Sequence, residues 1–224
     1  DINSSTRATP TACLFACPQR TLTPMPGRNV ILAHHLIFTA YGHWLPNDLR
    51  GSNSLEVRQP RFADLGEIHP GRRPEHEQPS AEQLRDFYRR AEPRLEHRTV
   101  WFDYAKRQAV GQAFAVVIRA ERYTAWACAV LADHAHLLVR RHRDDGCTLW
   151  RKFAQAAAQT LRTSGEVPSD HPVWGNRPYS VFKDSPDSIR VCVDYINRNP
   201  AKHGLPDQHW PFIQRYDGWP HPTP

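Results

Sequence analysis

The stretch ADHAHLLVRRH, residues 132–142, places two histidines at the start of a short apolar run that predicts a β-strand. Because side chains alternate between the two faces of an extended chain, His134, His136 and Leu138 share one face of this strand. Two imidazoles on one face suit a metal site, but histidines at a strand edge also commonly pack without any ligand. A third partner therefore decides whether the pair forms a site.

Strand and helix patterns surround this stretch in a regular order. A strand over residues 123–132 precedes it across a tight turn at Asp133, which predicts a β-hairpin. Further strands are predicted over residues 31–41 and 179–184, and helices over residues 103–123, 148–165 and 185–199. The order strand, helix, strand, strand, helix, strand predicts an α+β fold, a ferredoxin-like antiparallel sheet sandwich, with one more helix after the sheet.

The first of these helices carries an apolar stripe that we expect to face the core. The stripe consists of Ala109, Ala113, Val116 and Val117, with Val110 and Phe114 beside it. The spacing of these positions is typical of an amphipathic helix.

A long polar segment follows the first strand. From Leu45 to Pro93 the chain is rich in Pro, Gly, Arg and Glu and has no sustained apolar period, except a short helical pattern over residues 80–95. We expect an insertion over about residues 45–100, rather than a second core, within one domain spanning residues 29–220. Residues 1–28 are expected to form a disordered leader, with Met25 a candidate start.

Composition limits the partners of the protein. A net charge of +6 and a pI near 9.3 fit a polyanionic partner. No stretch approaches the roughly 20 apolar residues of a membrane span, so we expect no membrane partner. Five cysteines are an odd number, and the simplest interpretation is reduced cytosolic thiols. Cys13 and Cys17 have no second close pair downstream, which does not support a four-ligand zinc site.

The last predicted helix supplies the third partner. Ser185 is a good N-cap, and the core stripe consists of Ile189, Cys192, Val193 and Ile196. Tyr195 lies roughly 110° from the middle of that stripe, at about 100° per residue, and Asn199 follows one turn later on the same side. Tyr195 could equally be a boundary tyrosine with its hydroxyl in water, and Asn199 a cap before Pro200.

Together these residues suggest a chemistry. Two imidazoles and an amide oxygen would bind a divalent cation and leave positions open for phosphate oxygens. A free tyrosine hydroxyl, with a pKa near 10, is a poor nucleophile, and a neighbouring cation would favour the phenolate and neutralise phosphate charge. Attack by Tyr195 on a DNA phosphodiester would leave the 5′ phosphate on the tyrosine and a free 3′ hydroxyl.

Two stretches of the chain resemble the REP-associated tyrosine transposases, namely DHAHLLV and the downstream SIRVCVDYINRNPAKHG. This family is related to the single-strand insertion-sequence transposases within the HUH endonuclease superfamily. The family's histidine, hydrophobe, histidine motif corresponds to residues 134–136. Its catalytic tyrosine pattern, Tyr-Ile-x-x-Asn-Pro, corresponds to residues 195–200, with Lys202 and Gly204 after it. Two further stretches also resemble members of this family, namely HHLIFTAYGHWLPNDLRGS and WGNRPYSVFKDS. The likeness therefore covers most of residues 31–218.

The resemblance implies a bacterial, cytoplasmic and nucleoid-associated enzyme that depends on Mg²⁺ or Mn²⁺. It would nick and rejoin single-stranded DNA near palindromic hairpins, with Tyr195 as the catalytic residue and His134, His136 and Asn199 as metal ligands. A monomer or a homodimer is expected. The basic residues assigned to DNA binding are Arg140, Arg141, Arg143, Arg151, Lys152 and Lys202, each of which could instead be part of a solvated charged face.

Two features depart from the family, and two other functions stay open. Asp133 stands where members often have a glutamate, and the insertion is longer than in compact members. One alternative is a hairpin-DNA-binding protein of the same fold that has lost catalysis. The other is a metal-dependent phosphodiesterase that uses water as the nucleophile.

Overall fold

Four antiparallel strands form one sheet. The computed structural model describes residues 30–52, 54–57, 59–175 and 178–220, so the leader predicted for residues 1–28 lies outside the described residues. The strands are β1 (Ala33–Thr39), β2 (Ala125–Val130), β3 (His134–Arg140) and β4 (Tyr179–Lys183), in the spatial order β2-β3-β1-β4. The predicted α+β antiparallel sandwich is confirmed.

Four α-helices accompany the sheet, and they are α1 (Ala81–Ala91), α2 (Tyr104–Glu121), α3 (Gly146–Thr163) and α4 (Pro186–Lys202). Helices α2 and α3 cover one face of the sheet and share the main core with it. Helix α4 covers the other face, where Ile189, Cys192 and Ile196 pack against Leu138 and neighbouring strand residues. Among the described residues, none of the helices has both the length and the apolar character needed to cross a membrane.

Strand alternation decides which residues of β3 meet α4. Ala135, Leu137 and Val139 point into the core shared with α2 and α3. Leu138 packs in the cluster on the α4 side, so His134 and His136, which are in phase with Leu138, also face α4. The α4 stripe predicted from sequence is likewise confirmed, since Val193 packs against the same cluster.

Helix α2 differs from its prediction at one position of the stripe. Val116 is 55% exposed and does not belong to the core. The buried face instead includes Val110, Phe114, Val117 and Ile118. At about 100° per residue, Val116 lies outside the arc that these residues form. The C-terminal segment packs beside this arc, where an added Cβ on Gly111 would lie only 2.1 Å from the Trp210 ring.

The expectation that the insertion lacks a core is wrong. A small cluster of its own consists of Leu45, Phe62, Leu65, Phe87 and Ala91. The 3-10 helix Pro60–Leu65 and the capped helix α1 bring together apolar residues that are widely spaced in sequence. Sequence periodicity misses such a core because no single element supplies more than two of its buried residues.

Helix α4 runs three residues beyond its predicted end. Ser185 caps its start through a reciprocal capping box with Ser188. Pro200 is accommodated in the last turn, and the end is set by Gly204, which has a φ of 65°. The Leu205 N–H donates to the Pro200 carbonyl at 2.9 Å and the Gly204 N–H to Ala201 at 3.1 Å, which is a Schellman motif. Asn199 therefore lies inside the helix and is not its cap.

Candidate active site

The two histidines of β3 and the tyrosine of α4 lie together. The ring centroids of His134 and His136 are 4.8 Å apart, and that of Tyr195 is 5.6 Å from His136. This contact forms because α4 packs across the sheet face to which both imidazoles point. The structure therefore brings the predicted nucleophile next to the predicted ligand pair.

Each imidazole is held through its Nδ1 atom. Nδ1 of His134 is 2.6 Å from Oδ1 of Asp133, and Nδ1 of His136 is 2.9 Å from Nε2 of His35. When Nδ1–H donates to such a partner, the Nε2 atom of the same ring keeps a free lone pair. Nε2 of His136 is buried and has no hydrogen-bond partner, so its lone pair is available as a ligand atom.

Asn199, one turn after Tyr195 on α4, supplies a third polar group. It is only 3% exposed, and its Nδ2 atom is buried without a partner. Turning the side-chain amide over would place its oxygen at the same buried position. Two imidazole nitrogens and an amide oxygen are a donor set that Mg²⁺ or Mn²⁺ accepts, so the residues present fit such a cation.

Within the described ranges, no group of three or more His, Cys, Asp or Glu side chains has the arrangement of a metal site. The amide of Asn199 is therefore essential to the proposed ligand set. His203, whose ring lies 5.5 Å from that of His134, is an exposed neighbour of the pair.

Burial favours the neutral forms of His136 and His35. Burial, followed by the nearby imidazoles of His134 and His35, lowers the pKa of His136 well below its ordinary value. Burial lowers the pKa of His35 to about 4, with a smaller contribution from Lys183. Burial acts to raise the pKa of Asp133, but the hydrogen bond with His134 and the nearby His43 and Arg50 side chains outweigh it and hold that pKa low. Neutral imidazoles beside a carboxylate are the protonation states that bind cations.

Tyr195 is accessible to a substrate. Its side chain is 39% exposed, whereas His35, His136 and Asn199 are buried. Nζ of Lys202 lies 5.4 Å from the centroid of its ring, two turns further along α4. A phosphate in contact with the tyrosine hydroxyl would therefore also be near an ammonium group.

The other residues predicted to bind DNA lie elsewhere. Arg140, Arg141 and Arg143 are at or beyond the end of β3 opposite to His134. Arg140 stacks on Trp219, with its Cζ atom 4.0 Å from the ring centroid. Arg151 is exposed on α3, close in sequence to the same end.

Lys152 is already engaged in ion pairs. Its Nζ atom lies 2.9 Å from Glu121 and 2.8 Å from Asp144, and Arg143 also contacts Glu121 at 3.4 Å. Of the six predicted DNA-binding residues, Lys202 is the one placed beside Tyr195.

Two residues of the site were not predicted from sequence. His35 is one of two adjacent histidines on β1, where the sequence pattern indicates only a strand. The register places His35 opposite Leu138, diagonal to His136, and this pairing depends on the strand order. Asp133 is the other, and a carboxylate directly before the histidine motif is a signal for a hydrogen bond to one of its rings.

Comparisons with known proteins add little. No family model matches the chain, and no curated protein matches it. One solved structure, described as "Structure of the REP associates tyrosine transposase bound to a REP hairpin", aligns over 85% of this chain and 81% of that chain. The TM-score is 0.43 and the sequence identity 15%. Similarity at this level carries no information about activity.

Proposed function

We propose that this protein is a metal-dependent single-stranded DNA endonuclease and strand-transfer enzyme, similar to a transposase, in which Tyr195 is the nucleophile. The observation that carries the proposal is the contact between Tyr195 and His136, whose Nε2 atom is buried without a partner. A nucleophile beside a nitrogen that can bind a cation is what metal-dependent, tyrosine-mediated cleavage of a phosphodiester requires.

In this proposal, His134, His136 and Asn199 hold Mg²⁺ or Mn²⁺. When bound, the cation would act as a Lewis acid on the scissile phosphate. Asp133 and His35 orient the two imidazoles so that each Nε2 atom points away from its hydrogen-bonded partner. Burial keeps the pKa of His136 low, so this ligand does not have to lose a proton before it binds the cation.

Tyr195 forms the covalent bond. Its phenolic oxygen attacks the phosphorus atom, and the bond between phosphorus and the 3′ oxygen breaks. The phenolic proton is released and the leaving 3′ oxygen takes up a proton, so the products are a 5′-phosphotyrosine and a free 3′ hydroxyl. Lys202 is placed to neutralise charge on the phosphate. The reverse attack, by a 3′ hydroxyl on the phosphotyrosine, rejoins the strand.

The proposed substrate is single-stranded DNA that carries small palindromic hairpins. The net charge of +6 and the arginines at the far end of β3 favour a polyanion long enough to span the sheet. The resemblance of the histidine and tyrosine motifs to REP-associated tyrosine transposases gives the hairpin preference. The protein would act in the bacterial cytoplasm, on nucleoid DNA.

The test is to mix the protein with labelled hairpin oligonucleotides, with Mn²⁺ or with EDTA, and to separate the products on a denaturing gel. We expect a protein–DNA band that requires Mn²⁺ and is absent with Tyr195→Phe. Hairpin binding without any such band would identify a catalytically inactive binding protein. Cleavage that persists in Tyr195→Phe would identify a phosphodiesterase that uses water.

A further inference from the structure

An exposed tryptophan lies beside the turn that leads into the histidine strand. The side chain of Trp101 is 60% exposed, whereas its neighbours Val100 and Phe102 are buried. The Val100 N–H donates to the Tyr41 carbonyl at 3.0 Å, and the Phe102 N–H donates to the Ala132 carbonyl at 2.7 Å. These two backbone bonds fix Trp101 next to the turn that contains Asp133.

The ring of Trp101 is supported from one side. His43 meets it edge to face, with 4.4 Å between the ring centroids. The His43 imidazole is itself buried and held by a hydrogen bond of 3.0 Å between Nε2 and the Val100 carbonyl. A large aromatic ring that is rigidly mounted but uncovered is unusual, because burial of such a ring is strongly favourable.

A cationic group is fixed on the same side of the molecule. The guanidinium of Arg50 lies 3.7 Å from the ring centroid of Trp44 and makes two hydrogen bonds, of 2.9 and 2.8 Å, to buried Asp48. Trp44 has a φ of 50°, a conformation unusual for a bulky residue, and its N–H donates to Tyr88 at 2.9 Å. The insertion thus holds this Trp–Arg pair in a defined orientation.

Both groups lie near the candidate active site. The Ala132 carbonyl that binds the Phe102 N–H directly precedes Asp133, and Asp133 bonds to His134. Arg50 is linked to the support of Trp101 through Tyr88, which accepts a hydrogen bond of 2.9 Å from Arg50 and has its ring 6.1 Å from that of His43. An exposed aromatic ring and a fixed cation therefore flank the same strand end as the proposed metal ligands. Rings that stack on bases, combined with cations that contact the backbone, are the features that bind single-stranded nucleic acids.

We infer that Trp101, supported by His43 and flanked by Arg50, is a stacking site for an unpaired base of the DNA strand bound at Tyr195. This inference rests on the proposed function and names a nucleotide subsite for it. The insertion would then bind the single-stranded segment, and the hairpin would contact the basic end of the sheet. Stacking tolerates every base, so this subsite would add affinity without reading sequence.

The test compares two fluorescent probes of equal length, an oligothymidylate and the same backbone without bases, by anisotropy in EDTA. Both probes have phosphates, but only the first can stack. We expect wild-type protein to bind the thymidylate roughly 5- to 100-fold more tightly than the probe without bases. Trp101→Ala should lose this preference and bind the two probes equally. Trp101→Phe should keep part of it. Phe182→Ala, which removes a 53% exposed aromatic ring at the opposite end of the sheet, should keep all of it.

An unchanged preference in Trp101→Ala, or no preference in wild-type protein, would overturn the inference. An alternative is that wild-type protein self-associates through Trp101. Self-association that disappears in Trp101→Ala, in a wild-type protein that shows no preference for the thymidylate, would also overturn the inference and identify a contact between copies of the chain. The outcome is independent of cleavage, because the measurement is made in EDTA. If Trp101→Ala loses the preference but wild-type protein forms no covalent adduct in Mn²⁺, only the proposed chemistry is contradicted. If wild-type protein forms the adduct but shows no preference for the thymidylate, only the stacking site is contradicted.

Discussion

Nε2 of His35 on β1 lies 2.9 Å from Nδ1 of His136 on β3, and both imidazoles are buried. For His136 to offer Nε2 to a cation, its Nδ1–H must donate to His35. His35 then fixes both the tautomer and the ring orientation of the proposed ligand. Partners of this kind in metal sites increase ligand basicity and restrict ligand motion.

Replacing His35 by leucine should weaken Mn²⁺ binding by roughly 10- to 100-fold, because His136 loses the acceptor that orients it. His35→Gln supplies an amide oxygen as an alternative acceptor and should retain much of the affinity. Mn²⁺ titrations followed by electron paramagnetic resonance measure both variants without any DNA. Equal affinity in wild-type protein and His35→Leu would show that His35 only fills the core.

Lys202→Gln should slow formation of the covalent adduct by roughly 10-fold, equivalent to about 1.4 kcal/mol of transition-state stabilisation. The reason is the position of its ammonium group 5.4 Å from the Tyr195 ring, where the scissile phosphate would lie. Mn²⁺ affinity should stay unchanged, because Lys202 is not a ligand.

Arg190→Gln is the matched control for Lys202. Arg190 also lies on α4 but pairs with exposed Asp187 in the first turn. Removal of its charge should leave the rate of adduct formation equal to that of wild-type protein within the error of the measurement. If both substitutions slow the reaction equally, general attraction of DNA to α4 would explain the effect and the specific role of Lys202 would be lost.

Much of the fold follows from local patterns in the sequence. Ser185 and the apolar spacing on α4 predict its start and its buried face, and the short turn at Asp133 predicts the β-hairpin. The His-x-His alternation predicts that two imidazoles share a face. These features depend on neighbouring residues in the chain, which is why sequence alone reveals them.

Other features depend on long-range pairing. His35 meets His136 only because β1 lies between β3 and β4, an order that strand patterns leave undetermined. The burial of Gly111 on α2 likewise reflects packing of Trp210 from the distant C-terminal segment. The end of α4 depends on Gly204, because its Schellman motif allows Pro200 to remain in the last turn.

Gly111→Ala should lower the free energy of unfolding by about 1–3 kcal/mol, because the added methyl group would overlap the Trp210 ring. The energetic cost of this overlap must exceed the gain in stability of about 1 kcal/mol that alanine has over glycine in a helix interior. Gln112→Ala, at the adjacent exposed position of α2, is the control and should change stability by about 0.5 kcal/mol or less. Urea denaturation compares the two variants. No loss of stability in Gly111→Ala would mean that the C-terminal segment does not pack closely on α2.

Stability should fall as the pH drops below about 6.5, the pKa of histidine in an unfolded chain. Burial lowers the pKa of both His34 and His43 in the folded protein. In the window between the folded and unfolded pKa values, the unfolded state binds more protons, so acid favours unfolding. Urea midpoints measured with EDTA over this range test the prediction.

His43→Gln should reduce this pH dependence, because glutamine keeps a donor for the Val100 carbonyl but does not titrate. Wild-type midpoints that do not change below pH 6.5 would show that these histidines have the same pKa in the folded and unfolded states.

The central claim is that Tyr195 forms a covalent bond to DNA. The most direct measurement is to incubate the protein with hairpin DNA and Mn²⁺, digest it with nuclease and trypsin, and analyse by mass spectrometry the peptide of residues 191–198, which contains Tyr195 as its single tyrosine. We predict a nucleotide attached through a 5′ phosphate to Tyr195, absent with EDTA. DNA that is cleaved while this peptide remains unmodified would contradict the account.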